Sequence, residues 1–176
     1  MSELARCGDL PLAGAAERRG FHNARAPCRW SVARGGGIRE YREGVLDHLG
    51  LNVPDLDAAK AYYDEIMPLL GFETFFFTDT QFSYRPAADR PGTRIFFYGA
   101  LEDHTYSRHQ PGLQHLAFRL RTRPEVDRAY AKAVELGSEV IHAPKMWPEY
   151  HENYYSAFWY DPHGFMLEPV CHRPPQ

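Results

Sequence analysis

The pattern of hydrophobic and polar positions changes near residue 44. Residues 1–43 show no apolar periodicity, whereas the rest of the chain alternates short apolar runs with two stretches of helical spacing. Helices are predicted from Ala58 to Leu70 and over residues 122–136, and Pro68 is expected to end or kink the first helix near its last turn. The runs predicted as strands are 45–53, 73–78, 81–85 and 93–99, then 112–120, 139–142, 154–160 and 165–170. The order βαβββ therefore occurs twice.

The two halves share landmarks at nearly the same spacing. His48 and His115 lie 67 residues apart, and Gly71 and Gly137, each expected to end a helix, lie 66 apart. Neither half would bury its sheet face alone. The sequence therefore predicts an α+β domain at 44–176, with tandem βαβββ modules at about 44–100 and about 112–172. These modules are expected to form a cupped mixed sheet with the helices on its outer face.

The first 43 residues differ from the domain in charge as well as in pattern. They hold eight arginines and five acidic residues, a balance of +3, whereas residues 44–176 have a balance of −6. The pair Arg18-Arg19 is similar to a twin-arginine export signal, but the apolar segment that such a signal needs is missing. Residues 1–43 are expected to be a disordered extension, because little in them offsets the entropy of ordering.

Composition excludes several classes of partner. The net charge is −3 and no basic run interleaves with aromatic residues, so no nucleic-acid partner is expected. No apolar run reaches the roughly 18 residues of a membrane span. Three scattered cysteines form no disulfide framework, which predicts a reducing, cytoplasmic location.

Three residues in the repeat have the character of metal ligands. His48 and His115 occupy corresponding strands, and a pseudo-twofold axis would bring those strands together. Glu168 lies on the last predicted strand, where a buried carboxylate is costly unless a cationic group meets it. Two imidazoles and one carboxylate leave coordination positions open and suit Fe, Mn, Zn or Ni. Such a site polarises substrate oxygens or activates water or O₂.

The same motifs resemble a known superfamily over residues 44–172. The chain resembles the vicinal oxygen chelate superfamily, which includes glyoxalase I, extradiol dioxygenases, methylmalonyl-CoA epimerase, fosfomycin-resistance enzymes and bleomycin-binding proteins. The similar segments are Asp47-His-Leu-Gly-Leu-Asn-Val-Pro-Asp55, Gln114-His-Leu-Ala-Phe118 and Asp161-Pro-His-Gly-Phe-Met-Leu-Glu168. The resemblance implies that His48, His115 and Glu168 bind a divalent metal, that the substrate is small with adjacent oxygens, and that the protein is a homodimer. Whether the site closes within one chain or across two stays open.

One departure from the family concerns a fourth ligand, which glyoxalase I and the epimerase carry on the last strand of module one. Glu168 lies four residues after Gly164, and counting four residues from Gly92 gives Phe96. An aromatic residue thus stands where a carboxylate would be expected. This favours the three-ligand pattern of the dioxygenases and fosfomycin-resistance enzymes over glyoxalase I.

Three further residues are candidates for catalytic work. Tyr98 is expected to point into the cup and donate a hydrogen bond to substrate, and Tyr155, with the neighbouring Tyr154, to lie at its lip. His151 is the candidate acid–base group near neutral pH. The implied chemistry is that of a glyoxalase-like lyase or isomerase, or of a dioxygenase whose acid–base histidine is His151 or His109.

Two other functions compete with an enzyme. Bleomycin-resistance-type proteins bind small molecules without catalysis and commonly lack the metal ligands, so the retained His/His/Glu set argues against this alternative. A structural remnant of a metal site would predict a closed site with no cavity.

Overall fold

The repeat predicted from the sequence is present in a computed structural model of the chain, which describes residues 46–102 and 105–175. Module one comprises β1 (His48–Val53), α1 (Leu56–Ile66), β2 (Phe72–Thr78), β3 (Gln81–Pro86) and β4 (Arg94–Gly99). Module two comprises β5 (Leu116–Leu120), α2 (Arg123–Glu135), β6 (Glu139–Met146), β7 (Tyr155–Tyr160) and β8 (Met166–Cys171). The predicted α+β class with two βαβββ modules is confirmed. The extension expected at 1–43 lies outside the described residues.

Each module forms its own mixed sheet of four strands. The strand orders are β1-β4-β3-β2 and β5-β8-β7-β6. β1 pairs with β4, and β5 with β8, in parallel, whereas the remaining neighbours are antiparallel. The two strands that begin at His48 and directly after His115, β1 and β5, are therefore sheet edges. Within the described part of one chain the two sheets stay separate, although the sequence had indicated one continuous sheet.

Both helices begin at polar caps that the sequence signals. Asp55 caps α1, because its side chain accepts a hydrogen bond from the Ala58 N–H at 2.9 Å. Thr122 caps α2 in a capping box with Glu125, whose carboxylate accepts the Thr122 N–H at 2.8 Å. The turn after α2 contains Gly137 at φ +78°, a left-handed conformation that glycine adopts without a steric penalty.

The hydrophobic core joins the two modules. In each helix the buried residues recur at three- and four-residue intervals, so that one face packs inward. These residues are Ala59, Tyr62, Tyr63 and Ile66 in α1, and Val126, Ala129 and Ala133 in α2. Hydrogen bonds also cross between modules: Trp159 Nε1 donates to the Tyr62 hydroxyl at 2.9 Å, and the Tyr63 hydroxyl donates to Asp161 Oδ2 at 2.7 Å.

The two faces of the second sheet differ in what covers them. Successive side chains of a strand point to opposite faces, so Leu167 and Cys171 share one face of β8 and Met166 and Glu168 share the other. Leu167 and Cys171 belong to the core that contains the buried face of α2, whereas Met166 belongs to a separate small cluster. Glu168 therefore lies on the face of the sheet opposite α2.

Among the described residues, no helix combines the length and apolar character needed to cross a membrane.

Candidate metal centre

A buried carboxylate with two polar contacts forms the centre of the site. Glu168 is 2% exposed. Its Oε2 lies 3.2 Å from His115 Nε2, and its Oε1 accepts a hydrogen bond from the Tyr154 hydroxyl at 2.6 Å. His115 directly precedes β5, where the parallel pairing sets Ala117 opposite Glu168. The edge strand and the last strand of module two thus bring these two predicted ligands together.

The protonation of His115 follows from its other contact. Its Nδ1 is hydrogen-bonded to the side-chain oxygen of Gln114. An amide oxygen only accepts, so we assign the proton of the neutral ring to Nδ1, which leaves the Nε2 lone pair facing Glu168. Two lone pairs that face each other at 3.2 Å require a cation between or beside them, either a second proton or a metal ion. The donor set therefore fits a divalent metal ion.

His48 shows the same arrangement in module one. Its Nδ1 is hydrogen-bonded to Asp47 Oδ2 at 2.9 Å, which leaves Nε2 available as a ligand. The hydrogen bond from His48 lowers the pKa of Asp47, and the nearby Arg94 guanidinium adds to the effect. In both modules, then, the residue before the histidine holds Nδ1 and fixes the ring tautomer, as orienting partners of metal-binding histidines commonly do.

One chain does not assemble all three predicted ligands. The His48 side chain is 60% exposed, and its ring contacts Phe96 edge-on at a centroid distance of 5.7 Å. Over residues 46–102 and 105–175, no group of three His, Cys, Asp or Glu residues lies close enough to hold a metal ion. One chain thus brings His115 and Glu168 together, whereas His48 lies on a separate, exposed sheet edge.

Phe96 occupies the position that corresponds to Glu168. Gly50, two residues after His48, pairs with Phe96 across β1 and β4. Ala117, two residues after His115, pairs with Glu168 across β5 and β8 in the same way. This register confirms the correspondence of Phe96 with Glu168 that was predicted by counting four residues from Gly92 and from Gly164. Module one thus places an aromatic ring beside its histidine where module two places a carboxylate.

Comparison with known proteins identifies the family. Residues 45–168 match the model of the Glyoxalase/Bleomycin resistance protein/Dioxygenase superfamily. The chain belongs to this superfamily. A search of curated proteins gave no match.

Solved structures of superfamily members share the fold. A putative glyoxalase from Bacillus halodurans is 27% identical, with a TM-score of 0.62 over 74% of this chain and 98% of that one. A glyoxalase/bleomycin resistance protein from Albidiferax ferrireducens T118 is 20% identical, with a TM-score of 0.59 over 73% and 98%. A lactoylglutathione lyase from Agrobacterium tumefaciens is 20% identical, with a TM-score of 0.52 over 74% and 95%. The last two similarities show the fold alone.

Within this superfamily fold, the predicted catalytic residues take different positions. Tyr98 lies in module one, where its ring stacks on Phe96 at 6.3 Å and a Cβ added at Gly50 would lie 3.2 Å from it. Tyr155 points toward α2: its hydroxyl donates to Asp127 at 2.7 Å, and burial together with that bond raises its pKa to about 12. One chain brings neither tyrosine into hydrogen-bonding contact with Glu168.

His151 belongs to a histidine pair beside Tyr154. Its Nδ1 accepts the Asn153 N–H at 3.1 Å, so the proton of the neutral ring lies on Nε2. Nε2 then donates to His172 Nδ1 at 2.7 Å, which places the proton of neutral His172 on its own Nε2. Both rings contact the Tyr154 ring, at centroid distances of 5.3 and 5.0 Å. The pair is therefore linked through Tyr154 to Glu168.

An apolar wall, formed by Trp147, Phe158 and Met166, lies on the same side of the sheet as Glu168. These three side chains form a small buried cluster of their own, with Tyr154 packed against it. Met166 is two residues from Glu168 and so shares its face of β8. The wall gives the centre an apolar flank suited to the carbon skeleton of a small organic molecule.

Sequence reasoning assigned no role to Asp47, Gln114 and His172, and it placed Tyr154 at the lip of the cup without choosing it as a catalytic residue. The repeat contained a signal for the first two, because both directly precede the aligned histidines. Tyr154 differs from the chosen Tyr155 by one position, and one position on an extended segment decides which face a side chain takes. His172 follows the last strand, and nothing in its local sequence indicates its partner.

Proposed function

We propose that this chain is a divalent-metal-dependent enzyme that acts on a small substrate with two adjacent oxygens. The observation that carries the proposal is the buried Glu168 carboxylate, which faces the Nε2 lone pair of His115 and accepts a hydrogen bond from the Tyr154 hydroxyl. A divalent ion bound there would polarise substrate oxygens. A reducing, cytoplasmic location belongs to the same proposal, since Cys171 is a free, buried thiol.

The residues of the chain have distinct roles in this proposal. Glu168 and His115 supply ligand atoms, and Tyr154 fixes the carboxylate rotamer through its hydrogen bond. Burial, and then the contact with Glu168, raise the pKa of Tyr154, so its hydroxyl keeps its proton at neutral pH and remains a donor to the carboxylate. His151, with its Nε2 proton shared toward His172, is the group able to give and take a proton. The apolar wall excludes water from the centre.

Two reaction classes fit these roles. A lyase or isomerase needs a proton to be moved between neighbouring carbons, and a ring-opening dioxygenase needs an acid–base histidine beside its substrate. His151 serves either class, whereas His109 lines a separate cavity of about 610 Å³ to which neither His115 nor Glu168 contributes. Hemithioacetal isomerisation and oxygen uptake with catechols, each measured on protein loaded with Fe, Mn, Zn or Ni, distinguish the two classes.

The missing ligand points to a second copy of the chain. The edges β1 and β5 have no strand partner on one side within the described residues, and β1 carries the exposed His48. Unpaired edges are surfaces on which chains associate. We propose a twofold-symmetric homodimer in which His48 of one chain completes the centre formed by His115 and Glu168 of the other.

Subunit mixing tests this arrangement. The variants His48→Ala and Glu168→Gln are each expected to lack metal. If the site is shared, a mixed dimer of the two combines the intact His48 of one chain with the intact pair of the other. Random co-refolding of equal amounts should therefore restore about a quarter of the wild-type metal content, as measured by elemental analysis. A site closed within one chain would give no restoration, and that result would exclude the shared centre.

Loss of the Tyr154 hydroxyl should weaken metal binding without removing it. Tyr154→Phe frees one oxygen of Glu168 and is expected to lower metal affinity about 10- to 100-fold, the usual effect of losing an orienting partner. Tyr155→Phe is the matched control, because the neighbouring hydroxyl contacts Asp127 instead. Competition titrations with a metal indicator measure both variants. Equal affinities for the two would show that Tyr154 does not orient the ligand.

A further inference from the structure

We propose that a basic cavity near the end of β5 binds the phosphate-type anionic group of a ligand. The cavity has a volume of about 480 Å³ and is lined by Arg90, Arg119, Leu120, Arg121, His172 and Arg173. Four of its six lining residues are thus arginines, and none is acidic. Arginine presents N–H donors in a planar fork that matches the oxygens of a phosphoryl group, which makes this composition selective for such anions.

Three separate segments bring the arginines together. The parallel register of β5 and β8 places Arg119 opposite Val170, on the face that also carries Glu168. Cys171 connects Arg121 with Arg173. Its sulfur lies 3.6 Å from the Arg121 carbonyl oxygen and accepts a hydrogen bond from the Arg173 N–H at 3.5 Å. The cavity is therefore built partly on a strand and its direct continuation.

The fourth arginine comes from module one. Arg90 donates from Nε to the Ala87 carbonyl at 2.9 Å and from Nη2 to the Gly71 carbonyl at 2.8 Å. These two bonds fix the direction of its guanidinium group and still leave donors unused. The two modules thus contribute to one cavity, and its position does not depend on a single flexible side chain.

No carboxylate of residues 46–102 and 105–175 forms an ion pair with the three arginines that module two contributes to the cavity, Arg119, Arg121 and Arg173. The Glu125 carboxylate lies nearby, but it accepts the backbone N–H groups of Arg121 and Thr122 at 2.8 Å each as part of the α2 cap. Neighbouring like charges repel one another, and a bound dianion would relieve that repulsion.

His172 connects the cavity to the metal centre. It lines the cavity and pairs with His151, and its ring packs against Tyr154, whose hydroxyl donates to Glu168. Burial, and then the charges of His151 and Arg119, lower the pKa of His172, so its neutral form offers a free Nε2 proton to an anion. An anionic substrate would therefore have its charged end in the cavity and its reactive oxygens toward the centre. Only this last statement rests on the proposed function.

Calorimetric titration of the full chain with diphosphate, at constant ionic strength, tests the site. We expect saturable binding of one diphosphate per chain, with weaker binding of phosphate and weaker still of succinate. Arg119→Gln and Arg121→Gln should each weaken binding about tenfold, the effect of losing one charge-assisted pair. Arg128→Gln is the matched control, since Arg128 is exposed on α2 and does not line the cavity. Its affinity for diphosphate should equal that of the wild type.

Specific outcomes would overturn the proposal. Non-saturable binding, or equal affinities for the wild type and both cavity variants, would place the interaction elsewhere on the chain. Tighter binding of succinate than of diphosphate would show that the cavity prefers a dicarboxylate to a phosphate-type group. Because diphosphate also binds metal ions, the titration is repeated with His115→Ala, which should retain diphosphate binding. If the wild type itself holds no metal and yet binds diphosphate, the proposed function is rejected and the anion site stands.

Discussion

Replacing Glu168 with glutamine is expected to remove the bound divalent metal. The carboxylate supplies the negative charge of the ligand set, and a neutral amide cannot compensate for it. We expect affinity to fall by more than about 100-fold, beyond the effect of losing an orienting partner such as the Tyr154 hydroxyl. Elemental analysis gives the stoichiometry, and competition with a chelating indicator gives the affinity.

The exposed Glu149 provides the control for this change. Glu149→Gln makes the same chemical substitution at the surface and should leave metal content unchanged. In the metal-free protein, Glu168→Gln should leave stability unchanged or raise it, because it removes a charge from a side chain that is only 2% exposed. Urea unfolding measures that effect. Full metal content in Glu168→Gln would contradict the proposed centre.

Truncation of Phe97 to alanine should cause a large loss of stability. Phe97 is fully buried in β4, stacks on Phe82 at a centroid distance of 4.7 Å, and contacts Tyr63 of α1 at 4.3 Å. Removing the ring leaves a cavity between sheet and helix, and such a change typically costs about 3–5 kcal/mol. The free energy of unfolding, from urea titration followed by circular dichroism, should fall by that amount.

Phe76 is the matched control for this prediction. It is also a phenylalanine on a strand of module one, but it is 41% exposed. Phe76→Ala should change the free energy of unfolding by no more than about 0.5 kcal/mol, as is usual for surface substitutions. Similar losses of unfolding free energy in the two variants would mean that burial in the described core does not determine how much a phenylalanine ring contributes to stability.

Much of the fold could be predicted because repeated patterns reinforce one another. The caps at Asp55 and Thr122 and the glycine turns at Gly71 and Gly137 appear where expected, and both glycines have positive φ. The exceptions have local causes. α1 ends at Ile66 rather than at Leu70, close to Pro68, which has no N–H to continue a helix.

Strand β6 shows the opposite error, since it continues to Met146 although the sequence indicates an end at His142. Pro144 lies within it, and proline is expected only at edges or irregular positions of a sheet. β6 is an edge strand, and its register shifts between Val140 and His142 and again between His142 and Lys145. The tolerance for proline therefore depends on tertiary position, which the local pattern does not contain.

The candidate site was predictable to the extent that it follows the repeat. Four assignments depend on the alignment of the two modules: the ligands His48, His115 and Glu168, and Phe96 as the counterpart of Glu168. The strand register confirms that alignment for Phe96 and Glu168. The face on which the Tyr154 side chain lies depends on where β7 begins, one residue later. Apolar patterns place the end of a strand only to within a few residues. That His48 lies on a separate sheet edge follows from the packing of the modules rather than from either module alone.

The aromatic ring at position 96 also has a consequence for charge. A divalent ion held by two neutral imidazoles and one carboxylate retains a net charge of +1. A second carboxylate at Phe96, the counterpart of Glu168 in the repeat, would reduce that charge to zero. In the proposed centre, the phenylalanine would thus leave the charge positive, so that an anionic oxygen of a substrate would be drawn to it more strongly than a neutral one.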